Sequence, residues 1–189
     1  MSSKTYSNVI GVDDAPFDRD HVGKVKVVGA VYANLRLDGV LVGEIEKDGS
    51  DAAKKLVTLV GESKFAEHVQ LMMLQGITLA GFNVVDAFHI HELLKIPVLI
   101  VCRKSADMDA IKTALMSKIS DGLKKWDLIQ RLGPLEAVGQ IFIQAVGLNL
   151  PQAAEVVEHF AIHSQIPEPI RTAHLIAGAI ADGESRGHP

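Results

Sequence analysis

Hydrophobic and polar positions follow two periods along this chain, one typical of strands and one typical of helices. Near the start, three apolar runs alternate with polar residues or stay continuously apolar, a pattern that favours β-strands. We predict these strands at residues 7–13, 24–35 and 37–45. A polar loop at residues 14–23 separates the first two, and residues 34–39 suit a hairpin connection. The three strands are therefore expected to form an antiparallel meander.

The middle of the chain changes to alternating helices and strands. Apolar residues spaced three and four apart predict a helix that begins near Asp51, and further helices at residues 83–95 and 107–118. Short apolar runs at residues 71–74 and 98–102 predict buried strands between these helices. A meander followed by this alternation gives a mixed sheet, because parallel neighbours need helical crossovers.

The order β-β-β-α-β-α-β is the element order of a ribonuclease H-like mixed sheet, so we place the chain in the α/β class. The remainder is more helical, with helices predicted at residues 121–132, 151–161 and 168–181 and a strand at residues 141–145. No segment rich in Pro, Gly or Ser separates these parts. We therefore expect residues 1–189 to form a single domain with extra C-terminal helices.

Composition limits the classes of protein that remain possible. The 189 residues carry 19 basic and 23 acidic side chains, a formal net charge of -4, so any contact with DNA requires a local patch rather than a global positive field. The single cysteine excludes an intrachain disulfide framework and a cysteine-based zinc site. A polar N-terminal segment and the lack of an 18-residue apolar stretch predict a soluble cytoplasmic protein with no membrane partner.

Two adjacent aspartates, Asp13 and Asp14, close the first predicted strand. Carboxylates at the end of a strand place hard oxygen ligands at the edge of a sheet, where Mg²⁺ can bind. Without a cation, the two groups would repel one another and raise each other's pKa. Aspartate also favours helix caps and Asx-turns, so the pair is equally compatible with a structural role.

Two further segments lie at predicted strand ends. Gly76 and Gly81 connect a strand to the helix predicted to begin at Asn83, so a backbone approach to a ligand and a phosphate at the helix N-terminus are possible. The alternative is a structural turn. Arg103 and Lys104 follow the next strand directly. They can neutralise a phosphate or a developing negative charge, or they can belong to a solvated loop.

These segments together resemble a family of archaeal proteins, first described without a function, that is related to endonuclease V. Its members are described as endonuclease dU, acting on deoxyuridine in DNA. The glycine-bearing segment and the last segment are the most specific parts of the resemblance. The matching segments are residues 10–17, 37–42, 48–52, 74–86, 97–104 and 166–177.

The resemblance implies a metal-dependent endodeoxyribonuclease of DNA repair, with Mg²⁺ or Mn²⁺ as cofactor and DNA as partner. By this resemblance, Asp13 is similar to the first-strand metal ligand of endonuclease V, Asp51 is the best candidate for the second acid, and Lys104 is similar to the family's strand-end lysine that contacts the phosphate. We therefore predict Asp13, Asp51 and Lys104 as catalytic residues. The predicted metal ligands are Asp13, Asp14 and Gln75, and the predicted substrate contacts are Gly76, Gly81, Asn83 and Arg103.

One position departs from the pattern, because relatives carry aspartate where this chain has Gln75. A glutamine oxygen can bind a cation but adds no charge. Asp14, Asp38 and Asp86 are the candidates to compensate. Gln75 therefore keeps open a non-catalytic nucleic-acid-binding or regulatory protein, and residues 76–83 keep open a small-molecule phosphate-binding enzyme. The apolar C-terminal helices fit either core packing or a homodimer surface.

Overall fold

The computed structural model describes residues 6–185, in which a mixed sheet carries helices on both faces. The strands are β1 (Asn8–Asp14), β2 (Lys24–Ala33), β3 (Arg36–Glu46), β4 (Leu71–Gln75), β5 (Thr78–Leu79), β6 (Asn83–Val84), β7 (Val98–Cys102), β8 (Glu136–Val138) and β9 (Ile141–Val146). The helices are α1 (Ala52–Gly61), α2 (Ala87–Leu94), α3 (Met108–Lys118), α4 (Gly122–Arg131), α5 (Leu150–Phe160) and α6 (Glu168–Asp182).

The main sheet has the strand order β3-β2-β1-β4-β7-β9-β8. Strands β1, β4 and β7 are parallel, and the other neighbouring pairs are antiparallel. This arrangement confirms the predicted meander, the predicted helical crossovers and the ribonuclease H-like mixed sheet. Strands β1, β4 and β7 end on the same side of the sheet, at Asp14, Gln75 and Cys102. We call this side the carboxyl edge.

The two faces of the sheet are covered by different helices. Gly11 of β1 lies directly beneath α6, and a Cβ at this position would collide with the backbone of Pro169. On the opposite face, Gly43 of β3 packs against Leu59 of α1. Side chains alternate between the faces of a strand. Asp13, two residues beyond Gly11, therefore faces α6.

The connection after β4 differs from the prediction. Residues 83–95 do not form one helix, because Asn83 lies in the small β5–β6 hairpin and α2 begins only at Ala87. Ala80 and Gly81 have φ angles of 47° and 81°, which reverse the chain direction before Asn83. Asp86 caps α2 by accepting a hydrogen bond from the backbone N–H of His89. Apolar residues from Val84 onward continue the helical spacing, so the sequence pattern did not show the boundary between β6 and α2.

The C-terminal third adds a short strand and a second apolar cluster. Strand β9 confirms the strand predicted at residues 141–145, whereas the three-residue strand β8 beside it was not predicted. Val84, Leu115, Trp126 and Ile129 form an apolar cluster beneath α3 and α4. These two helices therefore pack on the β5–β6 hairpin rather than on the main sheet.

Within residues 6–185, no helix combines the length and the apolar character needed to cross a membrane.

Candidate active site at the carboxyl edge

Asp13 is a buried carboxylate near the end of β1, with 5% of its surface exposed. Its Oδ2 accepts a 2.8 Å hydrogen bond from Nδ1 of His174 on α6. Its Oδ1 accepts a 3.0 Å hydrogen bond from the backbone N–H of Asp14. Both oxygens therefore have a donor, as burial of a carboxylate requires. Because α6 is seated on Gly11, the position of His174 over Asp13 is fixed by backbone packing.

His174 is the site residue that the sequence analysis missed. It lies within the segment 166–177 that carried the family resemblance, but 161 residues separate it from Asp13. No spacing rule connects residues so far apart along the chain. The side chain of His174 is 26% exposed, so the ring contacts both the buried carboxylate and solvent.

Gln75 ends β4, the strand beside β1. Val12 lies opposite Leu74 in the parallel register, so Asp13 and Gln75 occupy matching positions and face the same side of the sheet. Oε1 of Gln75 is buried and has no hydrogen-bond partner among the described residues. An unpaired buried acceptor costs about 1–3 kcal/mol. This oxygen is therefore suited to a ligand that is not part of the chain.

The donors on this face fit one divalent cation. Mg²⁺ is commonly held by one or two carboxylates, with waters and substrate phosphates completing its coordination. Asp13 supplies one carboxylate and Gln75 supplies the unpartnered neutral oxygen. Within residues 6–185, no group of three or more His, Cys, Asp or Glu side chains is arranged to hold a metal. A cation held by Asp13 and Gln75 would therefore take several of its ligands from outside the chain.

Asp14 lies on the opposite face of the sheet from Asp13. Its Oδ2 accepts a 2.7 Å hydrogen bond from the backbone N–H of Ala80 in the hairpin region. Burial, together with the negative charge of Asp13, raises the pKa of the Asp14 carboxyl group to about 7. Alternation along β1 directs the side chain of Asp14 away from the face that carries Asp13 and Gln75, and its role as a metal ligand stays a prediction.

Asp51 and Asn83 belong to a network beneath the hairpin. Oδ1 of Asp51 accepts hydrogen bonds from Nδ2 of Asn83 at 2.7 Å and from the backbone N–H of Glu46 at 3.2 Å. Asn83 is fully buried, and its Oδ1 accepts from the backbone N–H of Ala52. Neither hydrogen bond of Asp51 leads to Asp13. The side chain of Asp51 also makes no capping hydrogen bond to α1.

The prediction that Asn83 begins a helix is therefore wrong, whereas its predicted role as a substrate contact stays a prediction. Asn83 is in a strand, and its amide is already used in hydrogen bonds to the protein. A substrate phosphate finds no helix N-terminus at this residue. The small-molecule phosphate-binding alternative loses its main support for the same reason.

The two glycines of this segment have different surroundings. A Cβ at Gly81 would collide with the carboxylate of Asp48, whose Oδ1 accepts a hydrogen bond from the backbone N–H of Phe82. A Cβ at Gly76 would meet no atom within 4 Å. Gly76 directly follows Gln75 and borders open space, so this backbone can be approached by a ligand, whereas Gly81 serves a tight packing contact.

Arg103 and Lys104 follow β7 at the same carboxyl edge, and both are exposed. They line a cleft of about 420 Å³ together with Gln140 and Gln165. Cationic side chains in an open cleft suit a phosphate group. The structure thus places these two predicted residues one strand away from Gln75, since β7 is the neighbour of β4.

Comparisons with known proteins agree with this architecture. The model of the Endonuclease dU family matches residues 5–181. A UPF0215 protein of Deinococcus radiodurans is 44% identical over 181 residues, which cover 96% of this chain and 92% of that protein. The crystal structure of a protein of unknown function from Archaeoglobus fulgidus is 37% identical and superposes with a TM-score of 0.85, covering 92% of this chain and 97% of that one.

Endonuclease V shares the fold at much lower identity. The Ciona intestinalis enzyme, solved with a 24mer DNA containing an inosine followed by a ribo-adenosine, is 16% identical with a TM-score of 0.56. The superposition covers 89% of this chain and 83% of that enzyme. This likeness shows the ribonuclease H-like fold. The chain therefore belongs to the Endonuclease dU family of UPF0215 proteins, which is related to endonuclease V.

Proposed function

We propose that the protein is a metal-dependent endodeoxyribonuclease that acts on DNA with deaminated bases, deoxyuridine in particular, in DNA repair. The observation that supports this most is the buried carboxylate of Asp13 beside the unpartnered Oε1 of Gln75 at the carboxyl edge. Membership in the Endonuclease dU family also supports nuclease chemistry. The endonuclease V structure with inosine-containing DNA supports DNA as the partner.

Asp13 and Gln75 would hold the divalent ion. When bound, Mg²⁺ or Mn²⁺ would stabilise the charge that develops on the scissile phosphodiester and lower the pKa of a bound water. Gly76 leaves room for the substrate backbone next to Gln75, since no protein atom occupies the space beside its Cα. Arg103 and Lys104 add positive charge in the adjoining cleft.

His174 would have two tasks. Its Nδ1–H donates to Asp13, which orients the carboxylate and leaves Nε2 as the acceptor of the neutral ring. From this position Nε2 can take a proton from the attacking water. General base catalysis of this kind typically contributes about 10²–10⁴-fold to a rate.

The decisive experiment measures nicking of a duplex with a single deoxyuridine, against the same duplex with thymidine. We expect a cut in the deoxyuridine strand that requires Mg²⁺ or Mn²⁺ and is abolished by EDTA. Asp13→Asn is the matched control, because it keeps the shape of the side chain and removes its charge. Wild-type nicking no greater than that of Asp13→Asn would refute the nuclease proposal.

A second candidate is a non-catalytic nucleic-acid-binding protein of the same fold. It is favoured by the neutral side chain of Gln75 and by the absence, among residues 6–185, of a metal group with three or more acidic or imidazole side chains. This candidate predicts metal-independent binding without cleavage. A Gln75→Asp variant that gains cleavage from an inactive wild type would support it, because a second carboxylate would then complete the site.

A further inference from the structure

A second group of basic side chains lies at the carboxyl edge, on the side of Asp13 away from Arg103 and Lys104. Strand β2 runs antiparallel to β1, so its first residues lie at this edge. The backbone N–H of Ala15 donates to the carbonyl oxygen of Lys26 at 2.8 Å. Lys26 is two residues from Val28, the partner of Asp13 in the register, and therefore shares the face of Asp13.

Lys24 and Lys26 of β2, together with Lys55 of α1 on the opposite face of the sheet, form what we call the basic ridge. The three lysines surround Glu44, and Nζ of Lys26 lies 2.6 Å from its Oε1. The hydrogen bond from Lys26 and the charges of the three lysines lower the pKa of the Glu44 carboxyl group. Lys24 and Lys26 border two open clefts of about 480 and 460 Å³, one towards α1 and one towards the end of α6.

Acidic groups near the ridge reduce its charge but do not cancel it. Glu44 pairs with Lys26, and Glu46 lies opposite Lys24 in the register. Lys47 adds a further positive charge beside Glu46, and its Nζ donates to the backbone carbonyl of His21 at 3.0 Å. The cleft towards α1 is lined by Lys24, Lys26 and Lys55 and by the acid Glu44, so positive charge is in excess there, although the whole chain has a net charge of -4. In the cleft towards α6, Asp18 and Asp182 balance Lys24 and Lys26.

The two basic groups are too far apart for one small ligand. In the order β2-β1-β4-β7, three strand spacings separate Lys24 and Lys26 on β2 from Arg103 and Lys104, a distance of about 14 Å. A DNA duplex rises about 3.4 Å per base pair, so this distance corresponds to roughly four base pairs. A linear polyanion that crosses the strand ends can contact both groups, with Asp13 between them.

We propose that Lys24, Lys26 and Lys55 bind phosphates of a nucleic-acid backbone, which crosses the carboxyl edge from the basic ridge, over Asp13, to Arg103 and Lys104. This inference rests on the proposed function in taking nucleic acid as the substrate, but it requires no cleavage. Exposed lysine side chains contact phosphates, which carry no sequence information. The ridge would therefore position the nucleic-acid backbone without selecting a base.

The test measures the affinity of a fluorescent deoxyuridine duplex in EDTA, by anisotropy, over a series of salt concentrations. Each lysine that neutralises a phosphate contributes about -0.9 to the slope of log affinity against log salt. The Lys24→Gln/Lys26→Gln variant should lose about two units of slope and bind tens of times more weakly at about 0.1 M salt. Lys64→Gln/Lys95→Gln, with both exposed lysines at the opposite edge, should match wild type.

Glu44→Gln tests the ridge by an increase in DNA affinity, which a misfolded variant would not show. Removing its charge frees Lys26, so the variant should bind the duplex several-fold more tightly than wild type. Suppose that wild type binds the duplex, the lysine double variant keeps the wild-type salt slope, and Glu44→Gln binds no more tightly. The proposal that the ridge binds phosphates is then overturned, although DNA binding itself is retained. If wild type binds no duplex at any salt concentration, both the ridge and the proposed function are overturned.

Discussion

The two faces of the sheet differ at the carboxyl edge, although Asp13 and Asp14 that mark them are adjacent in sequence. On the α6 face, Asp13 contacts a partly exposed imidazole, and the buried Oε1 of Gln75 has no partner among the described residues. On the α1 face, Asp14 accepts a hydrogen bond from the backbone of Ala80, and Asp51 accepts one from the side chain of Asn83 in the β5–β6 hairpin. The amide of Asn83 is used fully by hydrogen bonds within the fold, whereas the side-chain oxygen of Gln75 is available to a ligand.

The α1 face is also tied to the C-terminal helices. Lys125 of α4 is 2% exposed, and its Nζ donates to the backbone carbonyl of Asp48 at 2.7 Å. The same ammonium group lies 3.2 Å from a carboxylate oxygen of Asp121. The hydroxyl of Ser50 donates to the other carboxylate oxygen of Asp121. The acids between β3 and α1 therefore form an internal brace, which is a different task from that of Asp13.

The sharpest contrast is expected from Asp13→Asn against Asp51→Asn. If only the α6 face performs chemistry, Asp13→Asn should lower nicking by about 10³-fold, which equals about 4 kcal/mol of transition-state stabilisation. Asp51→Asn should lower thermal stability, with activity retained at low temperature. Both quantities can be measured as the initial nicking rate at 25 °C and the Tm. Loss of activity in Asp51→Asn without loss of Tm would place Asp51 in the site after all.

A second contrast compares a satisfied amide with an unsatisfied one. Asn83→Ala removes the partners of Asp51 and of the backbone at Ala52, so it should cost about 3 kcal/mol at 1–3 kcal/mol for each group left unpaired. Gln75→Met removes an oxygen that has no partner, so its free energy of unfolding should not fall below that of wild type and should rise by up to about 1–3 kcal/mol. Urea denaturation checks both. Equal losses would mean that Gln75 has a structural partner.

Much of this fold could be predicted because it follows from local periodicity. The strands of the meander and the amphipathic helices show their period within a few neighbouring residues. The sequence therefore predicted β1 to β3 and most helices. The hairpin at Asn83 was not, since its turn depends on Gly81 packing against Asp48, more than thirty residues away. Strand alternation places Asp13 and Asp14 on opposite faces, a consequence that the prediction of both as metal ligands did not use.

The candidate site was less predictable than the fold. Strand order brought Asp13 and Gln75 to one edge, which sequence reasoning anticipated from the parallel strands. His174 depends on the docking of α6 over Gly11, a tertiary contact with no counterpart in local sequence. The hydrogen bonds of Asp51 require the end of β3, the start of α1 and β6 to meet. Long-range packing therefore decides which of the chain's acids are available for chemistry.

A third test uses the cation site itself. Gln75→Asp places a second carboxylate beside Asp13 and should raise the affinity for Mn²⁺, since each added charge favours a hard cation. Isothermal titration with MnCl₂ measures this directly, without DNA or cleavage. Asp14→Asn, on the other face, should change the Mn²⁺ affinity much less, since it removes a neighbouring charge but no ligand. If instead Asp14→Asn lowers the affinity and Gln75→Asp does not raise it, the cation lies on the α1 face.

The smallest effect should come from the protonation of Asp14. Its pKa is raised to about 7 in the folded protein, against an ordinary value of 3.8, by burial and by the charge of Asp13. A raised pKa contributes stability that is complete below the unfolded value and is lost as the pH rises towards 7. Asn at this position stays neutral and can still accept from the backbone N–H of Ala80.

Asp14→Asn should therefore equal wild type in stability near pH 4 and exceed it by about 1–2 kcal/mol at pH 8, because partial exposure reduces the effect of the full shift. Urea unfolding in EDTA at several pH values measures the difference without interference from metal. Asp38→Asn, on an exposed residue of β3, is the control and should show no such trend. If the difference in free energy of unfolding between Asp14→Asn and wild type stays constant from pH 4 to pH 8, the carboxylate of Asp14 is solvated. The two faces would then differ only in their hydrogen bonds.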